Sequence, residues 1–191
     1  LNHNKISNAG AKALAESRFV QNVSYLMLEA NQIGMNGVKS FATSLNLKNL
    51  ETLFLDSNPI GPEGAEALAK STCLLSLSAL HMDSTAIGDQ GVKALAASQT
   101  LTKLEKLYLC SNKIGDEGAI ALSQSPNLSH LNCLSIWRNE IRDAGGKAIA
   151  ESNYFLKLER LYMSLNLIDK PTRKVIRSSD LASRLKTLVM D

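Results

Sequence analysis

Hydrophobic and polar residues recur along this chain in a pattern of fixed length. Six segments read Leu-x-x-Asn-x-Ile, with Ile or Met in place of the first Leu in two of them, and a seventh has Thr at the Asn position. The Asn position is filled by Asn4, Asn31, Asn58, Thr85, Asn112, Asn139 and Asn166. Every step is 27 residues, without an insertion. The pattern therefore predicts seven or eight repeated units stacked in strict register.

Within each unit the hydrophobic period changes from that of a strand to that of a helix. The Leu-x-Leu stretch alternates, as at Leu107 and Leu109, which is typical of a short half-buried strand. The Ala-rich stretch that follows has helical spacing and reads Gly-Ala-x-Ala-Leu-Ala at residues 10–15 and 64–69. Because each helix returns the chain to the start of the next strand, consecutive strands must be parallel. Three carboxylates stand just before predicted helices, where we expect them to accept first-turn N–H groups: Asp89, Asp116 and Asp143.

Two polar residues, an Asn and a Ser, recur at fixed positions of the repeat, and we expect structural roles for both. We expect the Asn side chains to bond backbone groups in the loop that leaves each strand, forming a ladder of Asn4, Asn31, Asn58, Asn112, Asn139 and Asn166. Thr85 supplies a shorter side chain at the remaining step. A Ser recurs after each helix, where we expect a hydrogen bond at the helix C-terminus: Ser17, Ser44, Ser71, Ser98, Ser125, Ser152 and Ser179.

These units resemble leucine-rich repeats of the ribonuclease-inhibitor type, which read Leu-x-x-Leu-x-Leu-x-x-Asn/Cys-x-Leu before a helix. The order is followed by Leu104, Leu107, Leu109, Asn112 and Ile114. The helix consensus is also similar to the GALA-type repeats of bacterial effectors. The resemblance covers essentially the whole chain and implies an α/β fold: a curved right-handed solenoid, or horseshoe, with a parallel β-sheet on the concave face and helices on the convex face. Strand spacing of about 4.8 Å against helix spacing of about 8–10 Å requires the same curvature.

The extent of the repeat sets an expectation about domains. Residues 1–191 are predicted to form a single domain of repeats. The chain begins at Leu1 and stops at Asp191, both within predicted strands whose edges would be exposed. We therefore expect the sequence to be part of a longer protein.

Composition excludes several classes of protein. A hydrophobic content of 45% is too high for a disordered chain, and no apolar run reaches the ~18 residues of a membrane-spanning helix. The three Cys residues are an odd number and widely scattered, which excludes a disulfide framework and favours a reducing compartment. We therefore expect a cytoplasmic protein, or one in the host cytoplasm if it is a secreted effector. The three His residues never pair at metal-ligand spacing, so we expect no metal and no cofactor.

The net charge of +3 is distributed unevenly. Residues 1–96 carry 7 basic and 8 acidic groups, whereas residues 97–191 carry 14 and 10. Residues 170–191 alone carry 6 and 2, so the excess is too local for a nucleic-acid-binding domain. Two interpretations of this last unit stay open: a solvated terminal repeat, or a docking patch for acidic partners.

Strand alternation assigns three columns of residues to the concave face. These columns hold five of the nine aromatic residues, including the only Trp, although the fold does not need Phe54 or Trp137 to face water. Aromatic clusters on a concavity are typical of binding hot spots, although strands also favour aromatic residues for themselves. The candidate protein-binding residues are Tyr25, Met27, Glu29, Phe54, Asp56, His81, Asp83, Lys106, Tyr108, Trp137, Arg160 and Tyr162.

The charge of this face changes sign along the stack. Acidic Glu29, Asp56 and Asp83 occupy adjacent strands, and basic Lys106 and Arg160 follow further along. Such a face would orient a bipolar partner, and the carboxylates would suit a cationic group; the alternative is a solvated acidic stripe.

One group of residues on the same face has the residue types of a catalytic site. His81, Asp83 and Cys110 lie on neighbouring strands, but the register places their Cβ atoms roughly 7–8 Å apart. A Cys nucleophile needs a His base within hydrogen-bond reach, and no oxyanion loop accompanies it. We therefore predict no catalytic residues.

The sequence as a whole favours a module that binds another protein through its concave sheet and has no catalysis of its own. We expect a monomer that binds neither nucleic acid nor membrane. The alternative is a repeat domain of a regulator or bacterial effector, of the GTPase-activator or ubiquitin-ligase-adaptor type, whose activity depends on segments outside this sequence.

Overall fold

Seven short strands form one open parallel sheet in chain order in the computed structural model, which describes residues 1–191. The strands are β1 (Tyr25–Met27), β2 (Thr52–Phe54), β3 (Ala79–His81), β4 (Lys106–Tyr108), β5 (Cys133–Ser135), β6 (Arg160–Tyr162) and β7 (Thr187–Val189). Each residue pairs with the one 27 positions away, as Leu107 pairs with Leu134. The predicted register and the parallel α/β solenoid are therefore confirmed.

Helices return the chain between strands on the opposite side of the core. They are α1 (Asn8–Glu16), α2 (Met35–Ala42), α3 (Gly61–Ala69), α4 (Gly88–Ala96), α5 (Asp116–Ser123), α6 (Asp143–Ala150), α7 (Lys170–Arg177) and α8 (Asp180–Arg184). Short 3₁₀ turns at Arg18–Val20, Leu45–Leu47 and Pro126–Leu128 follow three of them. The strands pack side by side more closely than the helices can, which puts the sheet on the concave face.

The first unit departs from the prediction. No strand begins at Leu1, and residues 1–6 lie outside the sheet. Their backbone still follows the repeat, since His3 N–H donates to the carbonyl of Glu29 at 3.0 Å. At the other end, Asp191 follows β7 and also lies outside the strand.

One continuous core of 45 buried residues runs between sheet and helices. The two core positions of each strand, such as Leu107 and Leu109, are fully buried. On the opposite face of the strands, large side chains such as Tyr108 are partly exposed, whereas small ones such as Ser135 are buried. Strand alternation therefore assigned these residues to the correct faces.

The Asn side chains bond the loops of adjacent units to one another. Asn112 is fully buried and accepts hydrogen bonds from the N–H groups of Thr85 and Ile87 at 3.1 and 3.3 Å. Its Nδ2 donates to the carbonyls of Met82 and Cys110 at 2.7 and 3.1 Å. Similar bonds link other units at Asn31, Asn58, Asn139 and Asn166.

Two members of the Asn column differ from the rest. Asn4 is exposed, and its Nδ2 bonds locally to the carbonyl of Asn2. Thr85 donates its hydroxyl to the carbonyl of Met82 at 2.7 Å and makes no bond to Leu55 in the preceding unit.

The Ser column also joins neighbouring units. Ser71 and Ser98 donate their hydroxyls to the carbonyls of Ala42 and Ala69, each at 2.6 Å. These carbonyls belong to the end of the helix in the preceding unit, which supplies the partner that the sequence could not identify. Ser179 instead bonds within its own unit to Ile176. Ser17 belongs to the first unit, and its hydroxyl oxygen accepts the N–H of Phe19 at 3.3 Å.

The Asp residues at the helix starts cap a different helix from the one expected. Asp116 lies within the first turn of α5, and its Oδ1 accepts the N–H groups of Arg142 and Gly145, both at 2.8 Å. Those N–H groups belong to the N-terminus of α6, so the cap crosses from one unit to the next. Asp89 caps α5 in the same way. The expectation of a cap on the same helix was therefore wrong, because the stacked helix starts lie within side-chain reach.

We expect Asp116→Ala to lower the free energy of unfolding by about 1–2 kcal/mol, since it removes a cap that holds two units together. The adjacent Glu117 is exposed and pairs only with Lys93. The matched Glu117→Ala variant should leave the free energy of unfolding nearly unchanged, because an exposed ion pair contributes little. Denaturant titration of both variants measures the difference, and equal losses would contradict the inter-unit cap.

Candidate binding surface on the concave sheet

The concave surface consists of the three outward-facing columns of the strands, and its residues differ widely in exposure. Tyr25, Met27 and Trp137 are exposed to 63%, 46% and 37%. Phe54 and Tyr108 are only partly exposed, less than predicted, because each is covered by a neighbouring ring. The remaining candidates lie on the same face: Glu29, Asp56, His81, Asp83, Lys106, Arg160 and Tyr162.

Three rings form a continuous aromatic stack across the middle of this surface. His81 stacks between Phe54 and Tyr108, with ring centroids 4.0 and 4.1 Å apart. The in-register pairing of β2, β3 and β4 brings these residues side by side. The sequence placed all three in one column but did not predict that the imidazole lies between two rings.

The stack keeps His81 uncharged. Burial between the rings, with a smaller contribution from the nearby Lys106 ammonium, lowers the pKa of His81 to about 4. The unfolded chain would titrate at the ordinary pKa of about 6.5. Because the folded pKa is depressed, the contribution of His81 to stability is present above about pH 6.5 and is lost as pH falls toward 4.

We therefore expect His81→Phe to stabilise the protein relative to the wild type as pH falls from neutral to about pH 5, because Phe keeps the stack and cannot be protonated. Asp56 titrates in the same range, but it is present in both proteins and its effect cancels. Denaturant titrations of both proteins at the two pH values measure the change. If the difference in the free energy of unfolding between the two proteins does not change with pH, the conclusion that His81 is uncharged would be wrong.

The acidic residues of the concave surface bond the sheet itself. Asp56 accepts the N–H of Asp83 at 2.7 Å, and Asp83 accepts the N–H of Cys110 at 2.7 Å. Burial raises the pKa of Asp56 to about 6, and burial raises that of Asp83 as well. Neither carboxylate pairs with a cation of this chain. They thus link successive units, a role that the sequence analysis missed.

The arrangement around Cys110 does not suit nucleophilic chemistry. The thiol lies 3.1 Å from the Ser135 hydroxyl, and burial raises the pKa of Cys110 to about 11. The thiol therefore stays protonated at neutral pH, while His81 is held in the aromatic stack as a weak base. No group of three His, Cys, Asp or Glu side chains has a geometry that could hold a metal ion.

At the basic end of the surface, the guanidinium of Arg160 has few hydrogen-bond partners within the chain. Arg160 donates from Nη2 to Asn132 Oδ1 at 3.3 Å. Its Nε is buried and has no hydrogen-bond partner. Burial and a bond to Cys133 raise the pKa of Tyr108, which also lies here, to about 12, so its hydroxyl stays protonated. Lys106 is exposed beside them.

The sequence belongs to a known family. The Leucine Rich repeat family model matches residues 1–15, 46–69, 73–96, 100–123 and 127–150, more than half of the chain. This chain is therefore a leucine-rich repeat protein. No curated protein matches the sequence.

A solved structure shares the fold. The chain is similar to an internalin (inlF) from Listeria monocytogenes, with a TM-score of 0.63 and 20% sequence identity. The match covers 94% of this chain and 45% of the internalin chain, so this chain spans less than half of that structure. No helix in the structure has both the length and the hydropathy needed to cross a membrane.

Proposed function

We propose that this leucine-rich repeat protein binds another protein through the concave surface. The observation that carries the proposal is the row of aromatic side chains on an open sheet face, outside the buried core. Trp137 is 37% exposed and Tyr25 is 63% exposed, although the core is complete without them. Exposed aromatic residues that cluster on a concave face are typical of binding hot spots.

The stack makes the centre of this surface rigid. Phe54, His81 and Tyr108 support one another, so a partner that packs on their edges does not have to order them first. Binding to a preorganised surface loses less conformational entropy than binding to mobile side chains. The centre of the interface is therefore expected near β2 to β4, with Trp137 and Tyr162 further along the stack.

Charge gives the partner an orientation. Glu29, Asp56 and Asp83 come just after β1, β2 and β3, and Lys106 and Arg160 lie on β4 and β6. A partner with a cationic group near the first set and an acidic group near the second would be complementary to this surface. Such charges would mainly accelerate association and would be screened by salt.

We propose that the chain binds without catalysing a reaction. The protonated thiol of Cys110 and the depressed pKa of His81 support this view, because neither group is activated for nucleophilic or base chemistry.

The experiment that tests the proposal is capture of partners on the immobilised chain, followed by mass spectrometry. The matched control is the Trp137→Ala, Tyr162→Ala double variant, which leaves the core intact. Proteins captured by the wild type and lost on the double variant support the concave surface. Capture that is identical on both proteins would contradict it.

A further inference from the structure

A groove opens on the helical side of the molecule, away from the concave surface. This C-terminal groove lies between α6 on one side and α7 with α8 on the other, and has a volume of about 1240 Å³. Its lining includes Ala150, Leu156, Lys174, Val175 and Leu181. The helix α7 packs less closely against α6 than earlier helices pack against their neighbours.

The groove opens where the last unit breaks the small-residue pattern of the repeat. In α6 this position is Gly145, where an added Cβ would lie only 2.9 Å from Ala119 Cβ, so Gly is what lets α6 approach α5. The corresponding residue of α7 is Thr172, whose side chain is buried. Three positions later, Ala148 of α6 is replaced by Val175 in α7. These larger side chains coincide with the looser packing of α7 against α6.

Four apolar side chains form a strip along the groove, among lining residues that are mostly polar. Leu156 and Val175 are exposed to 67% and 55%. Ala150 and Leu181 continue the apolar strip as buried residues. An apolar strip between two helices is the geometry that receives a third, amphipathic helix.

Positive charge borders the strip. Lys147, Lys174 and Arg184 line the groove, and none lies within 4.0 Å of a carboxylate. Lysines on other helices do find such partners, as Lys93 pairs with Glu117. Glu151 and Asp180 also line the groove. Three cations therefore face two carboxylates in the lining, a small positive excess.

We propose that the C-terminal groove binds an acidic amphipathic helix of another protein. The apolar face of that helix packs on Leu156 and Val175, and its carboxylates lie against Lys147, Lys174 and Arg184. A membrane surface fits less well, because the apolar strip is recessed between helices and a flat bilayer would meet the charged rim first. This site does not depend on the concave surface.

The test is a selection of short helical peptides displayed on phage against the full 191-residue chain. Selected peptides should share apolar residues at i, i+3 or i+4 and i+7 and should be acidic elsewhere. Val175→Glu should weaken their binding by at least about tenfold, since it places a carboxylate on the apolar strip and repels the peptide. Val175 is exposed, so this variant should keep the circular dichroism spectrum of the wild type.

A second variant tests the origin of the groove. Thr172→Gly restores the small residue of the earlier units and leaves Val175 in place, so α7 should close on α6 and peptide binding should again fall about tenfold. Trp137→Ala should leave peptide binding unchanged, which separates this site from the concave surface.

Three results would overturn the proposal: no enriched peptides, enriched peptides that are basic, or binding that Val175→Glu does not change. Sedimentation with vesicles of phosphatidylcholine and phosphatidylserine tests whether a membrane, rather than a helix, occupies the groove. Vesicle binding that Lys174→Glu abolishes, without any selected peptide, would assign the groove to a membrane instead.

Discussion

Leu107→Ala is expected to lower the free energy of unfolding by about 2–5 kcal/mol, the range for a buried Leu that leaves a cavity. Leu107 is fully buried between the sheet and the helices, and it pairs with Leu80 and Leu134 on either side. A cavity at this point would interrupt the core between units, because each unit contacts only its neighbours. Denaturant titration measures the loss.

The matched control for Leu107 is the next residue. Tyr108 lies on the concave surface and stacks on His81. Tyr108→Ala should lower the free energy of unfolding by only about 0.5–1.5 kcal/mol for the lost aromatic stacking, with a small further loss for apolar surface that is no longer buried. Equal losses in the two variants would mean that the assignment of faces is wrong.

Asn112→Ala should produce the second large effect, a loss of about 3 kcal/mol or more, because several buried groups lose their partner at about 1–3 kcal/mol each. The N–H groups of Thr85 and Ile87 lose an acceptor, and the carbonyl of Met82 loses a donor. The Ala side chain can replace none of these bonds. Chemical denaturation of the variant, with the wild type alongside, gives the value.

Another position of the Asn column provides a substitution that should not lower stability. Thr85→Asn should be neutral or stabilising, because an Asn amide here could donate to the Leu55 carbonyl, as Asn58 donates to Leu28 at 2.8 Å. Thr85 reaches only its own unit and Asn112. A clear loss of stability in Thr85→Asn would argue against a ladder that favours Asn at every step.

Most of the fold could be predicted from the sequence because the repeat has no insertions. A fixed step of 27 residues determines strand register directly, so the sequence alone assigns Leu107 and Tyr108 to opposite faces of the sheet. The bonds between units were harder to predict. Asp116 caps α6 rather than α5, because stacking brings a helix start within reach of a side chain 26 to 29 residues earlier. Sequence position alone does not show this proximity.

Some backbone features give no signal in residue type. The residue before each Asn position is left-handed, with φ between 52° and 59°, at His3, Ala30, Ser57, Ser84, Ser111, Arg138 and Leu165. These residue types differ so much that none marks the conformation, which the loop geometry imposes. The stacking of His81 between two rings and the C-terminal groove at Val175 both depend on how side chains pack. A hydrophobic pattern assigns residues to faces but does not describe such packing.

The most direct test of the concave surface is an affinity titration of a captured partner with two variants. Trp137→Ala should weaken binding by about 2 kcal/mol or more, as expected for an exposed aromatic anchor. The Lys39→Ala, Lys93→Ala double variant, on the exposed helical face, should bind like the wild type. Circular dichroism must show that both variants remain folded. Lost binding in the lysine variant together with unchanged binding in Trp137→Ala would contradict the account and place the site on the helices.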